Sequence, residues 1–103
     1  PARSVTTVAL REITAPRLVA WYLMASYLYY VQDVSLLPDA EFDTLCVELD
    51  RRWGAAQAHR HAYLLDRAGV QAGTGYYLRA EEYPLVTRSA AFALADALRE
   101  KKL

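Results

Sequence analysis

The sequence predicts a mostly α fold: a small single domain of about four helices with an antiparallel helix pair, plus one short two-stranded β element. Three observations predict it. The chain has 103 residues, which is one domain's worth. Hydrophobic residues make up 54% and charged residues 23%, the composition of a globular core rather than of disorder. Apolar residues recur at helical intervals along three long stretches, with Pro and Gly punctuating between them.

The first helix starts at Thr14, whose hydroxyl is placed to cap, with Pro16 tolerated in the first turn. From Leu18 to Val31 only Ser26 falls outside the hydrophobic class. The run is shorter than the roughly 20 apolar residues that cross a bilayer, and it carries four tyrosines, so it reads as a buried helix of a soluble protein. Leu18, Trp21, Ala25, Leu28 and Gln32 form its core stripe, yet the opposite face is also apolar, so both faces need cover.

After a linker of Val34 to Leu37, a second helix is expected from Pro38 to about Trp53. Asp39, Glu41 and Asp43 put negative charge near its positive end. Phe42, Leu45, Cys46, Leu49 and Trp53 form its stripe, and Gly54 ends or bends it. Ala55 to Ala68 reads as a shorter helix with Gly69 as its C-cap. Gly73, Thr74 and Gly75 make a turn. Tyr76 to Leu78 could pair with Val5 to Leu10 as the β element. Pro84 interrupts any longer run, and a final helix follows from about Thr87 to Glu100, its stripe Ala91, Leu94, Ala95 and Leu98.

Charge and composition exclude several functions. Twelve basic residues balance twelve acidic ones, so direct nucleic-acid or anionic-membrane binding lacks its usual driving force. Ten of the basic residues are Arg, and the only lysines are Lys101 and Lys102; Schiff-base chemistry, lysyl adenylation and phosphate-loop chemistry therefore have no positioned amine. Cys46 is the single cysteine, which excludes an intrachain disulfide and a multi-cysteine zinc site and fits a reducing compartment. On the predicted core stripe its thiol acts as a small hydrophobe. His59 and His61 diverge on a helix and lack an obvious third ligand, so no metal is expected. No leader pattern stands before Glu12, and the expected address is the cytoplasm.

The stretch Tyr27 to Leu45, YLYYVQDVSLLPDAEFDTL, carries the most specific signal. It resembles the N-terminal helical domain of bacterial NAD-dependent DNA ligases: an aromatic-rich helix end, an Asp (here Asp33), a short apolar linker and a P/S-D-A-E-Y-D helix start. That domain grasps the nicotinamide mononucleotide half of NAD. Carried over by position, the resemblance implies a binding site made of Tyr29, Tyr30, Asp39, Phe42 and Asp43, with NAD or nicotinamide mononucleotide as ligand and no metal. Phe42 stands where the family usually has Tyr, and Tyr30 where some members have His. The ligases' K-x-D-G motif is missing from this chain, so the resemblance implies no enzyme activity here. Trp53, His59 with His61, Ala72 to Tyr76, and Tyr83 with Pro84 extend a looser likeness to short bacteriophage-encoded ligase-related proteins, with the host cytoplasm or the virion as their place.

The residues support a ligand site on their own terms. Asp39 and Asp43, four apart on a helix, project from one face beside Phe42. An aromatic plate flanked by carboxylates suits a flat cationic ring bearing a hydroxylated sugar. The same residue types also serve core packing and helix-dipole neutralisation. The alternative reading is a protein-interaction or virion structural protein that uses the helix pair as a scaffold, with Tyr22, Tyr27, Tyr76, Tyr77 and Tyr83 as interface anchors and homo-oligomerisation open.

Overall fold

The computed structural model describes residues 13–33, 37, 39–73 and 78–101, the last four as backbone alone. Its described residues are mostly helical. Helix α1, Ala15–Ser26, continues into a π-helical turn, Tyr27–Val31; α2 is Asp39–Arg51, α3 the short Trp53–Ala56, α4 Arg67–Ala72 and α5 Leu85–Lys101. Two 3₁₀ turns, Ala62–Leu64 and Ala80–Glu82, join them. No strand occurs among the described residues. Of the expected β element, Val5 to Leu10, Tyr76 and Tyr77 lie outside them, and Leu78 sits in a bend.

Helix α1 is the centre of the domain. Leu18, Val19, Tyr22 and Leu23 are all but inaccessible to solvent, and Ala25 and Ser26 are buried beside them, so burial runs around the helix instead of along one stripe. α2, α3 and α5 each pack on it, which is the cover its two apolar faces require. Gln32, the last member of the expected stripe, is exposed, because the π-turn ends the stripe at Leu28. On α2, Leu45, Cys46 and Leu49 are buried as their spacing dictates, with Phe42 half-buried at the edge; Trp53, also half-buried, begins α3 instead of ending α2. Ala91 and Ala95 of α5 close the core on the other side.

The helix ends differ in chemistry from the sequence expectation. Thr14 is the N-cap of α1, but its backbone carbonyl, not its hydroxyl, accepts the amides of Arg17 at 3.0 Å and Leu18 at 3.3 Å. α2 breaks at Arg52, not at Gly54, which lies inside α3. Gly69 is also inside a helix; the glycine C-cap is Gly73, in the left-handed conformation at φ 74°. Asp66 caps the start of α4, its Oδ2 accepting the Gly69 amide at 3.1 Å.

A polar staple places α4 against α2. Arg67 Nε donates to Asp50 Oδ1 at 2.9 Å, and Gln71 Nε2 donates to the same oxygen at 3.1 Å. The Arg67 guanidinium also lies 5.4 Å from the centre of the Trp53 ring. The hydrogen bond from Arg67 holds the Asp50 carboxyl below its ordinary pKa. The staple ties α4 to the C-terminal end of α2, and the far end of α4 then brings Gly73 beside Asp43.

Candidate functional site

The aromatic end of α1 does not continue as an α-helix. Between Tyr27 and Gln32 the hydrogen bond spans five residues, Gln32 N to Tyr27 O at 3.3 Å, which is the wider π turn. A π turn accommodates one extra residue, so the side chains beyond it are rotated by about 100° from an unbroken helix. Tyr27 and Leu28 point into the core, where Tyr27 meets Tyr83 edge-on at 5.2 Å and Phe92 at 5.8 Å. Tyr29 and Tyr30 turn outward, 50% and 39% exposed, their rings edge-to-face at 4.8 Å. Asp33 then stands at φ 57°, a left-handed conformation that Asp tolerates.

A cleft of about 290 Å³ opens between this tyrosine pair and the start of α2. Ala25, Tyr29, Tyr30, Leu37, Asp39, Phe42, Asp43 and Gly73 line it. All five residues singled out in the sequence meet there: Tyr29, Tyr30, Asp39, Phe42 and Asp43. Asp33 lies outside that lining. The volume is at the small end of the roughly 300–1,000 Å³ of ligand sites, enough for a ring and a sugar. Asp39 and Asp43 are both exposed, and among the described residues neither carboxylate has an ion pair.

Phe42 is presented as a plate. The buried Tyr22 stacks against it with centroids 5.8 Å apart and planes 20° apart, so α1 supports one face of the Phe42 ring. Three further wall residues were missed in the sequence: Ala25, Leu37 and Gly73. Gly73 carries the most geometry, because a Cβ built there would stand 3.3 Å from Asp43 Oδ1. Gly73→Ala is expected to cost about 1–2 kcal/mol through its left-handed φ and to displace the Asp43 carboxylate. A urea midpoint equal to that of the native chain would refute this. The signal for Gly73 was the G-x-G turn itself; the sequence alone did not show that this turn abuts α2.

Other candidate chemistry lies elsewhere. Cys46 is 3% exposed, and burial, with Asp43 adding charge repulsion, pushes its thiol up to about 12. The native state thus holds this proton more tightly than the unfolded chain. The corresponding stability is complete below about pH 9 and is lost as pH rises toward about 12. Cys46→Ala is expected to flatten that alkaline loss in urea titrations, and a thiol reagent at pH 8 to modify Cys46 only in urea. His61 N donates to His59 Nδ1 at 3.0 Å, closing a local turn. Burial, then His61 and Arg60, lower the His59 pKa. No group of three or more metal-ligating side chains occurs among the described residues.

The proposed interface anchors need correction. Tyr22, Tyr27 and Tyr83 are 0%, 5% and 1% exposed and hold the core together, so none can anchor a partner; Tyr76 and Tyr77 lie outside the described residues. Aromatic composition alone could not tell core from interface. No described helix is long and apolar enough to cross a membrane. Comparison of the chain with protein-family models, curated proteins and solved structures gave no match in any of the three.

Proposed function

We propose that this chain is a non-catalytic binding module whose cleft takes the nicotinamide-ribose half of nicotinamide mononucleotide or NAD. The observation that carries the reading is the convergence of Tyr29, Tyr30, Asp39, Phe42 and Asp43 on one open cleft. A pyridinium ring stacks on an aromatic face with a gain of roughly 0.5–2 kcal/mol, and carboxylates accept from its amide and from ribose hydroxyls. The resemblance of Tyr27 to Leu45 to the ligase N-terminal domain, and of the chain to short bacteriophage-encoded ligase-related proteins, points to the same ligand. Binding rather than catalysis is proposed because this chain has no K-x-D-G motif and its thiol is buried and fully protonated at neutral pH. The proposed place of action is the cytoplasm.

The test is a titration followed by amide NMR. Nicotinamide mononucleotide and NAD at millimolar concentration are expected to shift resonances of Tyr29, Tyr30, Asp39 to Asp43 and Gly73, and to leave those of α5 in place. Shifts absent with both compounds would overturn the reading. A second reading, a partner surface or a homo-oligomer contact, is favoured by one observation: Leu85, Val86 and Phe92 on α5 are 71%, 63% and 46% exposed. Light scattering showing a stable oligomer that Val86→Glu dissolves would support it.

A further inference from the structure

We propose that the cleft selects a cationic aromatic nucleoside over its phosphorylated forms, so that among nicotinamide compounds the riboside is the preferred ligand. This rests on the ligand class proposed above and concerns its charge. The cleft carries two full negative charges, Asp39 and Asp43, beside three aromatic side chains. Among the described residues lining it there is no Arg, Lys or His. The adjoining stretches, residues 34–38 (VSLLP) and 73–78 (GTGYYL), contain no basic residue in the sequence either.

The arginines at and beyond the far end of α2 are held there by acidic partners, and Arg17, the one arginine of α1, sits in its first turn, at the opposite end from the tyrosine pair. Arg51 Nη2 pairs with Glu48 Oε1 at 2.7 Å, Arg52 with the same carboxylate at 3.3 Å, and Arg67 with Asp50 at 2.9 Å. Among the described residues at the cleft, positive character comes from the amino end of α2, worth about half a unit charge. Asp39 and Glu41 sit in that first turn, and Asp39 and Asp43 together outweigh the half charge at the cleft.

The balance favours a cation. A pyridinium gains from the ring faces and from both carboxylates. A phosphate monoester brings about −1.5 to −2 charges at neutral pH into a site whose described lining holds two carboxylates and no cation, and like charges brought together at a binding site count against the ligand that carries them. The phosphate is then the discriminating group, rejected by repulsion, while ring and sugar supply attraction.

Calorimetric titrations of the full chain with nicotinamide riboside, nicotinamide mononucleotide and uncharged nicotinamide, at 20 and 300 mM salt, decide the matter. The riboside is expected to bind at least about tenfold more tightly than the mononucleotide at low salt, with the gap closing at high salt as screening sets in. Uncharged nicotinamide is expected to bind more weakly than the riboside. In Asp43→Asn the preference for the riboside over the mononucleotide should shrink severalfold. A mononucleotide that binds as tightly as the riboside, or more so, would overturn this inference and leave the nicotinamide-nucleotide reading standing. Binding of none of the three compounds or of NAD would overturn both.

Discussion

Tyr22→Ala is expected to destabilise the domain by about 3–5 kcal/mol, the range for deleting a buried aromatic ring. Tyr22 is 0% exposed and sits in the middle of α1, where the helix is covered on both sides. The lost ring leaves a cavity in a close-packed core whose other members, Leu18, Leu23 and Leu45 among them, are themselves fully buried. Domains of this size have about 5–15 kcal/mol of stability in all, so the change takes a large part of it. Each kcal/mol moves the Tm of such a domain by roughly 4–8 °C, which puts the expected fall near 15 °C or more. Thermal denaturation followed by circular dichroism measures it. Tyr63→Ala, at a position 77% exposed, is the matched control and is expected to stay within about 0.5 kcal/mol. Equal effects from the two substitutions would contradict the burial on which the fold rests.

The milder Tyr22→Leu separates core from cleft. Leu keeps most of the buried volume but has no flat face for the Phe42 ring, which now stacks at 5.8 Å. The variant should stay folded at room temperature and bind a nicotinamide nucleoside severalfold more weakly, because Phe42 must then be ordered at the moment of binding.

Those two roles of one residue show what was legible in the sequence. The three long helices were readable from period and punctuation, since the stripes of α2 and α5 and the over-apolar α1 follow from 3.6-residue spacing. The helix expected over Ala55 to Ala68 is instead the end of the short α3, a 3₁₀ turn at Ala62–Leu64 and the start of α4. The cleft residues were readable as a cluster because Asp39, Phe42 and Asp43 sit on one face of one helix. What the sequence did not show depends on tertiary contact or on subtle hydrogen bonding. The π turn at Tyr27–Val31 turns Tyr29 and Tyr30 outward, and no propensity in YLYYV distinguishes it from a continuing α-helix. The break at Arg52 is similar: the Arg52 Nη1 donates 2.9 Å to the Ile13 carbonyl, a partner 39 residues away. Gly69 and Gly73 are equal candidates for a C-cap until α4 is positioned by Arg67 and Asp50. Tyr22, Tyr27 and Tyr83 read as interface anchors in the alternative reading because tyrosine suits that use, whereas the packing around α1 buries all three.

The double substitution Asp39→Asn with Asp43→Asn is expected to have the largest effect on binding with little effect on the fold. Asn keeps the shape of each side chain and removes its charge, so the cleft loses both negative charges while its walls stand. A hydrogen bond to a charged group is worth about 1.5–3 kcal/mol, and exposure places these at the lower end; two of them correspond to a loss of about a hundredfold in affinity for the riboside. Neighbouring groups are not additive, so each single variant is expected to lose more than half of that in free energy. The stability cost should stay near 1 kcal/mol or less, chiefly from Asp39 at the amino end of α2. Asp43 offers an independent check that the altered side chain occupies its place. Its charge is one of the two causes that raise the Cys46 thiol pKa, after burial. Asp43→Asn should therefore lower that pKa from about 12 without bringing it back to the ordinary range, readable from thiolate absorbance in an alkaline titration. A variant that shows the thiol shift, keeps the urea midpoint and still binds the riboside at full affinity would remove the carboxylates from the recognition of the ring.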